Sequence, residues 1–551
     1  KRIREMARNA DRLSIEQRIE RITQIFATFR NPDKETVLTP WRVVNMHMSD
    51  TLGGYAFYDE DFKTPLSEPR FVDRGKVTAE VFNEQTHILE INSKTGLYPL
   101  YVAYSVYRAR LRELLTSPES IEDEWAVWAK AVSENVFVVC KTPMAKSITR
   151  RTLIGFRHIK VNTRYFEDLI NQIKNKSNNF SLKVNSSSYW NISPNVSMNF
   201  NAIVGNPPYQ LTTAKQETNN GQKTVTNIFQ YFQLISDNLA KYTSMIYPGK
   251  RWIHRSGKGL EQFGYNQIND TRLSLLEFFP YSTDLFKNVG IADGLSIVFK
   301  DKSKKKPGFE YIYYVHGHKA HRHIDAPGDE LIALTPSDAE ISRRINYGVQ
   351  KYKFGYLAES IFPRNLFSIE SSFVEENPTL VREYTAEGTF DKNTEIKLFT
   401  NDKAGKAGRA RWYIAKKDII KTNANLLPYW KVVVSSANAG GQKRSNQIAI
   451  IDNYSAFGRS RVALKLFKTK REAENFYKYA TSDFIRYTFL LTDESLTSLA
   501  KQVPDIIDYT DNNTYINFSE DISTQLYNLF NISPHTQKHI KDTISDKETR
   551  Q

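Results

Sequence analysis

The chain has a single cysteine, Cys140, among its 551 residues. It can therefore form neither an internal disulfide nor a cysteine-based zinc site, and it fits a reducing cytoplasm. Apolar runs long enough to span a bilayer are also missing, as is a signal-peptide pattern, so we expect no membrane partner. Acidic residues number 61 against 76 Lys and Arg, which leaves a formal net charge of +15. A polyanion, above all nucleic acid, is the expected partner.

The chain opens on Lys1 rather than Met, inside a charged helical pattern. We therefore expect a fragment of a longer polypeptide. Residues 1–35 are predicted to form an N-terminal helical segment, in which Ser14 resembles a cap and Ile15 and Ile19 begin an apolar stripe at helical spacing. A stripe of this kind indicates a packing surface, and we assign it no chemistry.

Short apolar strands alternate with helices between about residues 36 and 300. The clearest predicted strands are 87–91, 135–140, 201–205, 243–248 and 294–299, and the clearest helices are 97–114 and 227–242. This alternation predicts an α/β domain with a doubly wound, largely parallel sheet. Ligands of such sheets lie beyond the carboxyl ends of the strands. The residues that follow each strand are therefore the candidates for chemistry.

A lysine-rich stretch at 301–308 ends this alternation. We predict a linker over 301–339 and a separate α+β domain over 340–551, where short strands and helices are mixed with aromatic-rich segments. Residues 401–450 hold ten Lys or Arg and only two Asp or Glu. This basic region follows the end of the alternating pattern and is the natural place to look for nucleic-acid contacts.

A polar, basic loop within that region carries Gln442, Lys443, Arg444 and Asn446. Lys and Arg bind phosphates or guanine, whereas Gln and Asn suit the edge of adenine. We therefore predict that these four residues bind DNA. A merely solvated hairpin is the alternative.

The strand at 201–205 runs directly into Asn206, Pro207, Pro208 and Tyr209. Consecutive prolines fix φ and lack N–H donors, so the turn is rigid and presents the Asn206 oxygen and nearby carbonyls. Acceptors that take both hydrogens of an aromatic amino group would stabilise the positive charge that develops when its nitrogen is methylated. Tyr209 offers a face on which an extruded base can stack. The alternative is an ordinary Asn-Pro turn with a packed tyrosine.

This turn, placed after an α/β strand, resembles the catalytic motif of the gamma-class amino-type DNA adenine methyltransferases, especially those fused in restriction–modification enzymes of type IIG or single-polypeptide type I kind. The resemblance covers about residues 36–300. It implies a Rossmann-like methyltransferase domain there, followed by an α+β target-recognition domain over 340–551. The implied reaction transfers a methyl group from S-adenosyl-L-methionine to a flipped-out adenine. The implied partner is double-stranded DNA, with a nuclease or translocase upstream in the same polypeptide.

The methyl-donor motif of this family is a strand that ends in an acid, followed by a glycine-containing turn and an aromatic residue. Residues 87–100 fit this pattern, because Glu90 ends the strand, Gly96 lies in the turn and Tyr98 follows. Glu90 and Gly96 are thus implied to bind the donor. Lys94 stands where the family usually has a further glycine.

Three more residues are assigned by the same resemblance. Thr39 and Pro40 lie in a segment like the one that precedes the donor motif, and they would line the methionine end of the donor. Phe286 would face Tyr209 across the flipped base, although a core phenylalanine is the alternative.

Two elements of the family are not evident in the sequence. An acid for the ribose of the donor usually ends the second strand, where this chain has Cys140 and Lys141. An acid beside the adenine pocket is also not apparent in residues 179–190. These gaps motivate one alternative, a catalytically silent DNA-binding subunit of the same fold. A second alternative is a methyltransferase that acts on protein glutamine or on an RNA base.

Two patterns suggest metal chemistry, and we discount both. Histidines cluster at 316, 318, 321 and 323 among basic residues, with no cysteine nearby. Glu395 and Lys397 have the spacing of a nuclease motif, but the sequence shows no convincing second acid to complete a Mg²⁺ site. We therefore predict no metal site.

Overall fold

The computed structural model describes residues 2–29, 37–114, 116–193, 198–212, 225–257, 259–287, 289–385, 388–405, 408–435, 448–492 and 500–549. The chain divides into two compact units. Unit 1 consists of residues 1–253 and 262–330, and unit 2 consists of residues 254–261 and 331–551. None of the helices in the described part is both long and apolar enough to cross a bilayer.

The described residues of unit 1 form thirteen strands, most of which belong to one sheet. They are β1 (Gly54–Tyr58), β2 (Pro65–Val72), β3 (Ile88–Ser93), β4 (Val136–Cys140), β5 (Asn162–Tyr165), β6 (Phe200–Gly205), β7 (Gln210–Thr212), β8 (Val225–Asn227), β9 (Ala240–Pro248), β10 (Leu273–Phe279), β11 (Leu295–Asp301), β12 (Phe309–Val315) and β13 (His318–Ile324). The main sheet has nine strands in the order β13-β12-β10-β11-β9-β6-β3-β4-β5, and β1 with β2 and β7 with β8 form two small ribbons.

Helices precede, connect or follow these strands. They are α1 (Arg2–Ala10), α2 (Ile15–Ala27), α3 (Trp41–Thr51), α4 (Lys76–Val81), α5 (Leu97–Arg112), α6 (Ile121–Lys130), α7 (Pro143–Ile154), α8 (Leu169–Asn175), α9 (Ser177–Val184), α10 (Phe229–Leu239), α11 (Lys250–Ile253) and α12 (Glu261–Ile268). In α2, Gln17 N–H donates to the Ser14 hydroxyl, and Ile15 and Ile19 enter the core that surrounds β3. The stripe is thus a packing surface.

The centre of the sheet is parallel and buried. β3 pairs in parallel with β4 and β6, and β6 pairs in parallel with β9, whereas β11 is antiparallel to both its neighbours. Every residue of β3 and β4 is buried, as expected for strands covered by helices on both faces. The predicted α/β class with a largely parallel sheet is confirmed.

The structure shortens one predicted helix and corrects one predicted linker. α10 ends at Leu239, because Ala240 already pairs with Phe200 in the sheet. The linker predicted over 301–339 is wrong for residues 309–324, because β12 and β13 extend the sheet beyond β10. Lysines in the intervening stretch are not simply solvated: Lys304 Nζ donates to the carbonyl oxygens of Thr271, Leu273, Lys306 and Gly308 at 2.6–2.9 Å.

Unit 2 is an α+β unit with several small sheets. Its helices are α13 (Pro336–Tyr352), α14 (Phe373–Glu376), α15 (Lys470–Thr481), α16 (Asp483–Thr488), α17 (Ile522–Leu529) and α18 (Pro534–Thr549). Its strands are β14 (Gly355–Tyr356), β15 (Val381–Glu383), β16 (Glu395–Asn401), β17 (Ala410–Lys416), β18 (Trp430–Ser435), β19 (Ala449–Ile451), β20 (Ser455–Phe457), β21 (Arg461–Phe467) and β22 (Pro504–Asp505). They form sheets of order β15-β17-β16-β20, β19-β18-β21 and β14-β22.

Candidate active site

The strand order of unit 1 reverses between β3 and β6. From β3 the chain adds β4 and β5 on one side, and from β6 it adds β9 on the other. Such a switch point opens a crevice beyond the carboxyl ends of the two strands, which is where open α/β sheets bind ligands. The two motifs singled out in the sequence follow these two strands, so the fold brings them to one place.

Glu90 and the Asn206–Tyr209 turn lie side by side at this switch point. Glu90 is the direct partner of Val204 across the β3–β6 pair. The next residue, Gly205, has φ of +147°, and a Cβ there would lie 3.2 Å from Glu90 Cγ. Glycine at this position therefore lets the Glu90 side chain pass close to the end of β6.

The side-chain amide of Asn206 is held by one end. Asn206 is 3 % exposed, and its Nδ2 donates to Thr39 Oγ1 at 3.0 Å. Its Oδ1 is buried and has no hydrogen-bond partner among the described residues. Leaving a buried acceptor unsatisfied costs about 1–3 kcal/mol. An oxygen kept in this state at a switch point is suited to accept an N–H from a ligand.

The rest of the turn is equally buried. Pro207 and Pro208 are buried, and Tyr209 is 9 % exposed with its hydroxyl lacking a partner in the described structure. Burial raises the pKa of Tyr209 far above its usual range. The backbone after the turn is fixed, because Ile228 N–H donates to the Tyr209 carbonyl at 3.1 Å. The Tyr209 side chain is therefore uncharged, and its ring lines the site.

A chain of hydrogen bonds supports the catalytic turn, and the sequence did not reveal it. His47 Nδ1 lies 2.7 Å from Tyr98 Oη, and His47 Nε2 lies 2.8 Å from Ser244 Oγ. Ser244 Oγ donates to Thr51 Oγ1, which donates in turn to the His47 carbonyl. Because the Ser244 hydroxyl proton is used in this way, the Ser244 oxygen accepts a hydrogen bond from His47. His47 therefore carries its proton on Nε2, and its Nδ1 accepts from the Tyr98 hydroxyl.

Burial keeps this histidine neutral by lowering the pKa of His47 to about 3. The chain reaches the site because Thr39 interacts with the Tyr98 hydroxyl and lowers its pKa, against the larger effect of burial that raises it. Thr39 in turn accepts from Asn206 Nδ2. The amide of Asn206 is thereby oriented with its nitrogen toward Thr39 and its oxygen away from it. A lone histidine on a helix gave no sequence signal for this role.

The loop between β3 and α5 has the backbone of a close-approach turn. Asn92, at an irregularity near the end of β3, has φ of +73°, and Gly96 in the loop has φ of +78°. A Cβ at Gly96 would lie 3.0 Å from Thr149 Cα, so a larger residue would push the loop away from α7. The Nδ2 of Asn92 is buried without a partner in the described part of the chain. This segment therefore offers an unused N–H group beside Glu90, the glutamate predicted to bind the methyl donor.

Glu90 itself is buried, with only 6 % of its surface exposed, and its Oε2 has no described partner. Burial raises the pKa of Glu90 to about 7, opposed by Ser93 and by the positive charge of Lys94. The Lys94 ammonium donates to the Val37 carbonyl at 3.0 Å. The two segments that the sequence assigns to the methyl donor, around Thr39 and around Glu90, thus meet.

The ends of β4 and β5 differ in whether an acidic residue follows the strand. β4 ends at Cys140, whose thiol pKa rises to about 12 through burial and the nearby Glu90, and Lys141 after it is exposed. No acid stands there. The unpredicted strand β5 is followed by Glu167 and Asp168, both exposed at the same edge. Residues 179–190 contain the end of α9 and a short 3-10 turn.

Phe286 follows a helical turn, and it is 1 % exposed. Its N–H donates to the Ser282 carbonyl at 2.8 Å. The described aromatic contacts include none between Phe286 and Tyr209. Phe286 is thus a core residue in this structure, and its stacking role stays a prediction. Gln442, Lys443, Arg444 and Asn446 lie outside the described residues, so their role in DNA binding stays a prediction as well.

The residues discounted as metal ligands have other partners. Both carboxylate oxygens of Glu395 accept from Arg382, at 2.9 and 3.1 Å. His316 Nδ1 lies 2.8 Å from Asp284 Oδ1, and His323 Nδ1 lies 2.7 Å from Glu310 Oε1. Within the described ranges, no group of three or more His, Cys, Asp or Glu is arranged to hold a metal ion.

Residues 134–286 match the family model described as the Eco57I restriction-modification methylase. The match contains the whole Asn206–Tyr209 turn and begins after Glu90. The expected resemblance to restriction–modification methylases is confirmed for this part of the chain. Comparison with curated protein sequences finds no match.

Solved structures with a similar fold include three from restriction–modification systems. A chain of a type I restriction–modification complex has 14 % identity and a TM-score of 0.32, covering 61 % of this chain and 57 % of that one. The methyltransferase subunit of a type I system from Streptococcus thermophilus has 10 % identity and a TM-score of 0.32, covering 54 % of this chain and 52 % of that one. The type IIG restriction endonuclease BpuSI has 10 % and 0.36, covering 97 % and 68 %. The chain spans little more than half of the first two.

Proposed function

We propose that this chain transfers a methyl group from S-adenosyl-L-methionine to the exocyclic amino nitrogen of an adenine in double-stranded DNA, as the modification activity of a restriction–modification system. The observation that carries the proposal is the buried, unpartnered Oδ1 of Asn206 at the switch point, fixed by the Thr39 contact. An adenine amino group has two N–H donors and a delocalised lone pair. It needs acceptors of this kind before its nitrogen can attack.

The residues present fit the methyl donor. Glu90 Oε2 and Asn92 Nδ2 are a buried acceptor and a buried donor without described partners, and Gly96 keeps the loop close to α7. We expect Glu90 to accept from the ammonium of the donor and Thr39 and Pro40 to lie against its methionine end. When bound, S-adenosyl-L-methionine supplies an electrophilic methyl group on a positively charged sulfur.

The protein groups act on the acceptor nitrogen. Asn206 Oδ1 and the Pro207 carbonyl accept hydrogen bonds from the two amino N–H groups, which makes the nitrogen lone pair available and stabilises the positive charge that builds on it. As the N–C bond forms, the S–CH₃ bond would break to leave a neutral thioether, and the methylated nitrogen would then lose one proton to water. Tyr209 packs against the base as a neutral ring, because burial prevents its ionisation. A base reaches such a buried turn only after it has left the helix. Gln442, Lys443, Arg444 and Asn446 are proposed to bind the DNA.

A labelling experiment tests the proposal. The purified chain is incubated with S-adenosyl-L-methionine that carries a labelled methyl group and, in parallel, with duplex DNA, RNA or a glutamine-containing protein extract. We expect label only in DNA and, after digestion to nucleosides, only in N6-methyladenine. Label in RNA or protein would contradict the choice of substrate. Binding of the methyl donor and DNA without transfer would identify a catalytically silent subunit.

A further inference from the structure

Lys94 is the residue at which the donor loop departs from the family pattern, and the structure gives it a specific place. Its ammonium donates to the Val37 carbonyl at 3.0 Å. Val37 is buried and lies two residues before Thr39, whereas Lys94 lies in the loop that joins Glu90 to Gly96. The positive charge therefore lies where the two segments assigned to the methyl donor meet.

The surroundings of this charge suit a zwitterion. The amino-acid end of S-adenosyl-L-methionine carries both an ammonium and a carboxylate. Glu90 supplies a buried acceptor for the ammonium. The carboxylate needs hydrogen-bond donors. The end of β3 holds the unpartnered Nδ2 of Asn92, which is 3 % exposed, and the 16-residue helix α5 begins after the loop that follows. A helix N-terminus favours an anion, and a lysine ammonium, with three N–H donors, adds a full charge.

We propose that Lys94 binds the carboxylate of the methyl donor while Glu90 binds its ammonium, so that this loop recognises the zwitterionic amino-acid end of the donor. This inference rests on the proposed function, because it takes S-adenosyl-L-methionine as the ligand. It assigns to Lys94 a donor-specificity role in place of the glycine that the family resemblance leads one to expect. The competing interpretation is purely structural: the lysine would only tie the loop to residue 37.

Two ligands that differ in one group separate these interpretations. Decarboxylated S-adenosyl-L-methionine keeps the sulfonium and the amine but lacks the carboxylate. Calorimetry with the full chain is expected to show that Lys94→Met weakens binding of S-adenosyl-L-methionine on the order of tenfold to a hundredfold, as for loss of a charged hydrogen bond. Binding of the decarboxylated ligand is expected to change by less than about threefold. Lys94→Gln, which keeps a hydrogen-bond donor without the charge, provides a second, milder variant.

Lys160→Met is the matched control, because Lys160 Nζ also donates to a backbone carbonyl, that of Asn191, at 3.0 Å. It is expected to bind both ligands as the wild type does. Equal losses for the two ligands in Lys94→Met and Lys94→Gln, or no loss in either, would overturn the role of Lys94. Failure of the wild type to bind either ligand would instead overturn the proposed function on which the inference rests.

Discussion

Two strands of one sheet each bury a glutamate, and the comparison separates a site from a core. Glu90 lies on β3 opposite Val204 of β6, at the switch point, whereas Glu277 lies on β10, between β11 and β12. Both are nearly inaccessible, and both have an oxygen without a described partner. Burial raises the pKa of Glu90 to about 7 and that of Glu277 to about 8. Burial and unmet hydrogen bonds alone therefore do not identify a ligand site.

The two carboxylates differ in the groups that surround them. Near Glu90 the chain also leaves Asn206 Oδ1 and Asn92 Nδ2 unpartnered, and positive-φ loops approach it closely. Near Glu277 the neighbouring charges are already balanced, because Lys319 Nζ donates to Asp50 Oδ2 at 3.0 Å. Several unpartnered hydrogen-bond donors and acceptors grouped at one place are suited to bind a ligand. A single carboxylate within a cluster of paired charges is typical of packing.

The largest effect is expected at Asn206. Asn206→Ala should lower the methyl-transfer rate at saturating donor by about 10²-fold or more, because it removes an acceptor placed where charge develops. Donor binding and the melting temperature should change little. The rate is measured by label incorporated into DNA. Asn175→Ala, at an exposed residue that donates to Asn171, is the control. A rate within about tenfold of the wild type would contradict the assignment.

A smaller effect, on donor binding, is expected at Glu90. The folded carboxyl has a raised pKa of about 7, and only its ionised form attracts the ammonium of the donor. Affinity for S-adenosyl-L-methionine should therefore fall as the pH is lowered from 7.5 to 6, by at most about tenfold per pH unit. Glu90→Gln should bind about tenfold more weakly at pH 7.5 and show little pH dependence in this window. Glu277→Gln is the matched control and should bind the donor as the wild type does.

The raised pKa of Glu277 also predicts how the stability of the protein depends on pH. The pKa of Glu277 is raised from 4.5 to about 8 in the folded state. The unfolded chain therefore releases this proton more readily, and the wild type loses stability as the pH rises through this window. The free energy of unfolding of Glu277→Gln should rise relative to that of the wild type as the pH increases from 5 to 8, by up to about 1.4 kcal/mol per pH unit. A difference that stays constant with pH would show that Glu277 is not buried as a neutral acid.

How far the sequence predicts the site follows from these details. The Asn206–Tyr209 turn could be found because it follows an apolar strand directly, and Glu90 could be found because it is an acid within an apolar strand that precedes a glycine-containing turn. Parallel pairing of these two strands brings the residues together. His47 and Ser244 could not be found, because their role depends on hydrogen bonds between residues 197 positions apart. The strands β12 and β13 were missed because the lysines before them look like a solvated linker, whereas Lys304 caps four carbonyls.

The smallest effect is expected from Tyr209→Phe, which tests whether a buried, unpartnered hydroxyl is needed for activity. The Tyr209 hydroxyl is buried without a described partner, as Asn206 Oδ1 is. However, the proposed stacking role needs only the ring, which phenylalanine keeps. The specificity constant for DNA methylation should therefore stay within about threefold of the wild type. The melting temperature should fall little, because the hydroxyl has no well-formed hydrogen bond and only a weak contact with Asn206, which lowers its pKa.

Tyr247→Phe is the control for a hydroxyl that is used, since Tyr247 donates to Gln233 Oε1 at 3.0 Å and accepts from Gln267 Nε2 at 2.7 Å. That variant should be destabilised by about 1 kcal/mol. A loss of activity above about tenfold in Tyr209→Phe, with unchanged melting temperature, would show that the phenol bonds to the substrate. Tyr209 would then belong with Asn206 and Glu90, as a group whose hydrogen-bond partner is the ligand.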